Sequence, residues 1–295
     1  MIKSLTALAQ AACLMLLPAL VAPVEAAPAR PNRIIISYVS PKNPAHEPIY
    51  KRLKEARFLE KLQEFLSPFR LPRTLLIKIE GCDGVVNAWY EEGAVTICYE
   101  YIDEIWKTVP AETTAAGVAP IDALIGPVFD TCLHEFGHAI FDILRVPLYG
   151  REEDAADAFS AYVTLQLGKD EARRLIAGTA FAYMTEVKAA TAPPKLQDFA
   201  DEHGTPAQRF YNLLCVAYGA DPKLFGDLVE KGYLPKDRSE GCDGEYQQVA
   251  FAFQKLIAPH IDPGLAKKVV QKSWLPDPKR SVARRPGPPP ALQRK

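Results

Sequence analysis

The sequence lacks an excess of charge of either sign. Its 295 residues include 35 lysines and arginines against 36 aspartates and glutamates, which gives a formal net charge of -1. Proteins that bind nucleic acid over a broad surface carry clustered positive charge. The balanced composition therefore gives no reason to expect a nucleic-acid partner.

Glycine and cysteine are also scarce. Seventeen glycines and six cysteines are too few for a collagen-like or a disulfide-packed chain, and 48% hydrophobic residues exclude a disordered one. What remains is the composition of an ordinary globular protein with a substantial core. We expect a single domain over residues 27–278, whose oligomeric state the sequence does not define.

Long apolar runs are absent except at the N-terminus. Lys3 precedes an apolar stretch from Leu5 to Val24, which is the pattern of a secretory signal peptide over residues 1–26. An uncleaved membrane anchor is the rival interpretation, which Pro18 and Pro23 disfavour. We therefore expect export to the periplasm or secretion from a bacterium, with no stable membrane span after cleavage.

The C-terminus lacks acidic residues. Residues 279–295 combine prolines with lysines and arginines, a composition that predicts a disordered, extended basic tail. Five cysteines remain after the predicted signal peptide: Cys82, Cys98, Cys132, Cys215 and Cys242. Proximity favours the pairs Cys82–Cys98 and Cys215–Cys242 in an oxidising compartment, although four cysteines allow three connectivities.

Short β-branched and aromatic runs in the first third of the chain predict strands at 33–39, 74–80, 85–90 and 94–99. A helix-like segment at 55–65 lies between the first two, and Glu91-Glu92-Gly93 is typical of a hairpin turn. The later pattern is helical. Pro127 is expected to begin a helix that ends at Leu144, and further helices are expected at 152–168, 170–190, 206–218, 222–231 and 244–257. The predicted fold class is α+β, with a small N-terminal mixed sheet, packed helices and a C-terminal helical lobe.

The pattern H-E-x-x-H occupies residues 134–138 of the first long predicted helix. His134 and His138 are four residues apart and share one helical face, so both imidazoles can bind one ion. Glu135 lies off that row and can take a proton from a water on the open side of the ion. The alternative is a chance match, but burying these groups without an ion or a partner would be costly.

A third ligand is predicted in the next helix. Glu153 and Asp157 are spaced four residues apart, which places both carboxylates on one face. We predict that Glu153 completes a site for one Zn²⁺ per chain, while Asp157 accepts a ring N–H from one of the histidines. A solvated acidic helix start is the alternative interpretation.

The two motifs, HEFGH at 134–138 and EDAAD at 153–157, together resemble those of the gluzincin zinc metallopeptidases. The closer resemblance is to a bacterial family of exported metallopeptidase-like proteins classed as a domain of unknown function. It extends over about 33–259 and includes the segments at 87–90, 97–100, 201–203 and 208–212. This resemblance implies a zincin-like fold and hydrolysis of peptide bonds. Phe141 and Leu144 replace the glycine and histidine of a metzincin, which excludes that class.

Similarity to thermolysin-like enzymes implies two further roles. Asn87 and Ala88 would belong to an edge strand that binds the substrate backbone. His203 would be a catalytic residue that stabilises the tetrahedral intermediate, and an ordinary surface-loop histidine is the alternative.

The leading hypothesis is an exported zinc-dependent endopeptidase or aminopeptidase, acting on peptide or protein substrates through a zinc-activated water with Glu135 as general base. Two alternatives stay open: a zinc amidase acting on cell-wall peptide, and a non-catalytic, zinc-stabilised binding protein of the cell envelope. Glu135 separates enzyme from binding protein, because a purely structural site has no use for a glutamate beside an open coordination position.

Overall fold

The computed structural model describes residues 33–279. The predicted signal peptide at 1–26 and all but the first residue of the predicted tail at 279–295 lie outside the described residues. The strands are Ile34–Tyr38 (β1), Leu75–Glu80 (β2), Ala88–Glu91 (β3) and Ala94–Cys98 (β4). The helices are Glu47–Glu55 (α1), Phe58–Phe65 (α2), Tyr99–Thr108 (α3), Pro120–Leu144 (α4), Glu152–Leu165 (α5), Lys169–Ala189 (α6), Pro206–Ala220 (α7), Asp227–Glu230 (α8), Lys236–Ser239 (α9), Cys242–Leu256 (α10) and Pro263–Gln271 (α11).

The four strands form one mixed sheet in the order β1-β2-β4-β3. β1, β2 and β4 run parallel, whereas β3 pairs antiparallel with β4. In β2, Leu75, Ile77 and Ile79 are buried and alternate with partly exposed residues, so one face packs on the core. The prediction of an α+β fold with a small N-terminal mixed sheet is confirmed.

A tight hairpin turn fixes β3 at the edge of the sheet. Glu91 pairs with Ala94, so the loop contains only Glu92 and Gly93. Both loop residues have positive φ angles, 48° and 83°, as a type I′ turn requires. β3 therefore lies directly beside β4, with its other edge facing away from the sheet.

The helix predicted at 55–65 begins later, at Phe58, and the preceding helix α1 was not predicted. Arg57 has a φ of 53°, in the left-handed region, and separates α1 from α2. Leu59, Leu62 and Phe65 of α2 are buried, which gives this short helix a complete apolar face. A single left-handed residue of this kind has no reliable signature in composition, so the boundary could not be read from the sequence.

The central helix α4 begins at Pro120, seven residues before the predicted start at Pro127. Both prolines lie in the helix: Pro120 occupies its first turn, and Pro127 lies inside it. Pro127 cannot donate a hydrogen bond to the carbonyl four residues earlier, a cost that ordinarily breaks or kinks a helix. Packing along both flanks of α4 compensates, because the helix is largely buried. Within residues 33–279, no helix is both long and apolar enough to cross a membrane.

α4 and α6 cross at two glycines. A Cβ atom built on Gly178 would lie 2.1 Å from the carbonyl oxygen of Asp122, and one on Gly126 would lie 2.8 Å from the backbone of Gly178. Beside the crossing, Arg174 forms a buried ion pair with Asp122 at 2.7 Å. The backbone of α6 thus packs directly against the backbone of α4, the helix that carries the H-E-x-x-H pattern.

Two disulfides join neighbouring elements. Cys82 is bonded to Cys98 and Cys215 to Cys242, the pairing that sequence proximity favoured. The second bond links α7 to α10. Cys132 is a free cysteine and is buried in the core.

The glycine crossing gives a testable prediction. Gly178→Ala should lower the free energy of unfolding by about 1–3 kcal/mol, because the added Cβ collides with backbone that cannot rotate away. The urea midpoint of unfolding measures the change. Gly244→Ala is the matched control, since Gly244 lies in α10 with no atom within 4 Å of an added Cβ. There the same substitution should stabilise the helix. An increase in midpoint for both variants would contradict the close crossing.

Candidate metal centre

Small residues bring the two motif helices into contact. A Cβ on Gly137 of α4 would lie 3.1 Å from Cδ1 of Phe159 and 3.5 Å from Cα of Ala156, both in α5. Three acidic residues occupy the first turn of α5, where they complement the positive end of the helix dipole. This packing places the start of α5 against the histidine face of α4.

Three potential ligand atoms converge between these helices. Nε2 of His134 lies 3.1 Å from Nε2 of His138. Oε2 of Glu153 lies 2.9 Å from His134 Nε2 and 3.4 Å from His138 Nε2. The two nitrogens and one oxygen therefore form a compact triangle.

The triangle fits a divalent metal ion. Ligands about 2.0–2.2 Å from a tetrahedral ion are roughly 3.3–3.5 Å from one another. Two imidazoles and one carboxylate also form the donor set of catalytic zinc sites, which keep a further position open. A second group, Cys82, Cys98 and Glu100, also lies close enough together to hold an ion. Its two sulfurs are bonded to each other, which removes them as thiolate ligands.

Carboxylates orient both histidines from the far side of the rings. Oδ1 of Asp157 lies 2.8 Å from Nδ1 of His134, where the sequence analysis placed an accepting carboxylate. Oε1 of Glu152 lies 2.9 Å from Nδ1 of His138. These contacts favour the tautomer that leaves each Nε2 free to bind an ion. The role of Glu152 was missed, although its position next to Glu153 was visible in the sequence.

A partly buried arginine holds Asp157 in place. Arg209 of α7 donates two hydrogen bonds to the Asp157 carboxylate, at 2.8 Å and 2.6 Å, and its guanidinium lies over the ring of Tyr183. Burial alone would raise the pKa of Asp157, but the hydrogen bonds with His134 and Arg209 lower it to about 2. Asp157 therefore stays ionised. Sequence analysis noted the segment at 208–212 without assigning Arg209 a role.

Contacts between histidines and carboxylates shift the pKa values of the cluster even without an ion. Burial would lower the pKa of His134, but its contacts with Asp157 and Glu153 raise that pKa to about 10. Burial would likewise raise the pKa of Glu153, and the three histidines around it lower that pKa well below its usual range. An entering metal ion must therefore replace protons on the histidines, as is usual for such sites.

Glu135 faces a cavity next to the triangle. Its side chain is nearly buried and lines the cavity together with His134 and His203. It forms no hydrogen bond to another residue within 33–279. Burial raises the pKa of this carboxyl group above its ordinary value. A partly buried carboxylate without a fixed partner is suited to accepting and releasing a proton.

His203 reaches the site from the loop before α7. Its Nε2 lies 2.8 Å from Oε2 of Glu153, and its ring stacks on that of His134 with a centroid distance of 5.8 Å. Asp201 lies beside the other ring nitrogen, at 3.3 Å. The side chain is 44% exposed. The structure thus brings His203 to the metal-site residues and also leaves it open to solvent.

The edge strand borders the same cavity. Asn87 and Ala88, at the start of β3, line it opposite His134 and Glu135. The backbone carbonyl of Asn87 accepts a hydrogen bond from the N–H of Cys98, which anchors this end of β3 to β4. All the site residues predicted from the sequence therefore lie in or around one cleft.

The chain matches one protein family over most of its length. Residues 38–257 match the family DUF4344, which carries the description "Putative metallopeptidase". No curated protein and no solved structure matches the chain. The matched region covers more than half of the chain and contains every residue of the cleft. The protein belongs to the DUF4344 family of putative metallopeptidases.

Proposed function

We propose that this protein is an exported zinc-dependent peptidase that hydrolyses peptide bonds. The observation that carries the proposal is the convergence of His134, His138 and Glu153 beside a cavity that Glu135 also lines. Membership in a metallopeptidase family supports a metal and a peptide substrate. The donor set and its spacing favour zinc over the harder cations, which prefer oxygen ligands alone.

The proposed zinc ligands are His134, His138 and Glu153, with one ion per chain. Zinc held there supplies Lewis-acid chemistry, acidifying a water molecule and polarising the peptide carbonyl. Asp157 and Arg209 keep the His134 ring in the orientation that binding requires. This support comes from residues that do not themselves touch the ion.

Glu135 is the proposed general base. It takes a proton from the attacking water and delivers it to the amine that leaves when the peptide bond breaks. Its position off the ligand row of α4 suits this role, because it can face the substrate without binding the ion. A site that serves only to stabilise the fold would not need this carboxylate, which favours an enzyme over a binding protein.

His203 is proposed to stabilise the oxygen that becomes negative at the attacked carbonyl. Its Nε2 lies at the rim of the cleft, and Asp201 contacts the other ring nitrogen. The hydrogen bond with Glu153 raises the pKa of His203 above its ordinary value, which favours the protonated ring, whose Nε2–H can donate to an oxyanion.

The substrate backbone is proposed to pair with β3. Because β3 is the last strand in the sheet order, its outer edge has no strand partner within residues 33–279. An extended peptide could form main-chain hydrogen bonds there and cross the cleft at Asn87 and Ala88. The scissile bond would then lie over the metal centre.

Export is proposed from two independent features. The first 26 residues have the pattern of a signal peptide, and the described domain contains two disulfides. Disulfides persist in the periplasm or outside the cell and are rare in the cytosol. Both features favour a periplasmic or secreted protein.

The metal site can be tested without a substrate. Purified protein should bind one zinc per chain, and His134→Ala, His138→Ala or Glu153→Ala should abolish tight binding. Asp157→Asn should weaken zinc by about 10- to 100-fold without abolishing it, because it disturbs only the orientation of His134. Competition against a chromophoric chelator measures the affinities. Full zinc occupancy in Glu153→Ala would instead assign the third ligand to a neighbouring carboxylate such as Glu152.

Catalysis can be separated from metal binding at Glu135. Glu135→Gln is nearly isosteric, so we expect the fold and the zinc content to be kept while peptide hydrolysis falls by about 10²- to 10⁴-fold. The assay measures cleavage of denatured protein, short peptides and cell-wall peptide, with zinc content determined on the same samples. Glu112→Gln is the control, since Glu112 is exposed and does not line the cavity.

The outcomes distinguish the competing functions. A Glu135→Gln variant that keeps zinc and cleaves at the parent rate would refute the proposed base. Hydrolysis of cell-wall peptide alone would favour the amidase. Tight zinc binding by a parent protein that cleaves none of these substrates would favour the binding protein.

A further inference from the structure

The cavity beside Glu135 forms a pocket, and part of its lining comes from α3, α4, α6 and α7. Its volume is about 130 Å³. A cavity of about 150 Å³ holds a molecule the size of benzene, so this pocket has room for roughly one amino-acid side chain. The pocket opens beside His134 and Glu135, which places its occupant next to the bond that would be cleaved.

The walls of the pocket carry both apolar and hydroxyl groups. Apolar surface comes from Ile105 and Ala182, and hydroxyl groups come from Tyr101, Thr131 and Thr179. Tyr101 and Thr131 already share a hydrogen bond of 2.7 Å. A long side chain with an apolar stem and a polar end would match such a lining.

The charged groups of the pocket differ in how far they are neutralised. Arg209 is held by its two hydrogen bonds to Asp157. Asp130 accepts hydrogen bonds from Ser160 at 2.6 Å and from Tyr183 at 3.4 Å. The side chain of Glu186, by contrast, forms no hydrogen bond or ion pair with another residue within 33–279.

The position of Glu186 in α6 strengthens its negative potential. It lies in the last turn of this 21-residue helix, where the backbone carbonyls present the negative end of the helix dipole. Lys188, two residues later, points about 200° away around the helix. Lys188 lines a separate, mostly apolar cavity instead. None of the described residues that line this pocket is a lysine, and its arginine is paired with Asp157.

We propose that this pocket selects a cationic side chain, lysine or arginine, beside the scissile bond, with Glu186 as its counterion. The inference rests on the proposed peptidase function and narrows it to peptides with a basic residue at one defined position. The stem of that residue would pack along Ile105 and Ala182 while its charged end reaches Glu186.

Matched peptides that differ in one residue beside the scissile bond test this inference. The residue is lysine, its neutral counterpart norleucine, or glutamate, and mass spectrometry of the products identifies which side of the bond it occupies. The zinc-loaded parent should cleave the lysine peptide with a kcat/KM roughly 3- to 10-fold above that of the norleucine peptide. Added salt should reduce this preference, because the pair is partly exposed to solvent.

Variants of the counterion assign the preference to one side chain. Glu186→Gln should bring the lysine-to-norleucine ratio to about 1, and Glu186→Lys should shift the preference toward glutamate. Asp170→Asn is the control, because Asp170 lies at the other end of α6 with a side chain that is 87% exposed. Its ratio should equal that of the parent. Thermal unfolding verifies that each variant is folded.

The experiments distinguish failure of the proposed side-chain preference from failure of the proposed peptidase function. Cleavage without a preference for lysine, or with a preference that Glu186→Gln leaves intact, would overturn the inference alone. If no peptide is cleaved, the peptidase function fails, and peptide affinities for the zinc-loaded Glu135→Gln variant decide the inference. Tighter binding of the lysine peptide, lost when Glu186→Gln is added, would support it, and equal binding of both peptides would overturn it.

Discussion

The structure depends on providing polar partners for two histidines that are carried by a buried, mostly apolar helix. His134 is only 4% exposed, so its ring must have polar partners inside the protein. Those partners come from one neighbouring helix, α5, which supplies Glu153 on one side of the ring and Asp157 on the other. Burial of Asp157 then requires a cation in turn, and Arg209 of α7 provides it. One constraint thus links three helices in a fixed arrangement.

The rest of the fold encloses a cavity beside this arrangement. The two-residue turn at Glu92 and Gly93 sets β3 at the outside of the sheet, and Asn87 and Ala88 lie across the cleft from α4. The glycine crossing at Gly178 draws α6 against α4, which forms a wall of the adjoining pocket. The cleft is therefore bounded mainly by strands and helices, whereas Asn87 and His203 come from the segments that precede β3 and α7.

Local spacing accounts for the parts of the site that could be predicted from the sequence. A separation of four residues on a helix identified His134 with His138 and Glu153 with Asp157, since each pair shares one helical face. Contacts between distant segments could not be predicted in this way. Arg209 meets Asp157 across 52 residues, and the pocket at Glu186 depends on how closely α6 approaches α4. The predicted start of the central helix at Pro127 failed because packing along the buried α4 overrides the local preference of proline.

The bond between Cys215 and Cys242 stabilises the cluster around His134 from a distance. Cys215 lies in α7, six residues after Arg209, and is tied to the start of α10. Closing a loop of 27 residues by a disulfide contributes about 3–4 kcal/mol under the chain-entropy model. Without this bond α7 is held by packing alone, so Arg209 supports Asp157 less firmly. The geometry of the cluster therefore depends on the redox state of two cysteines that do not belong to it.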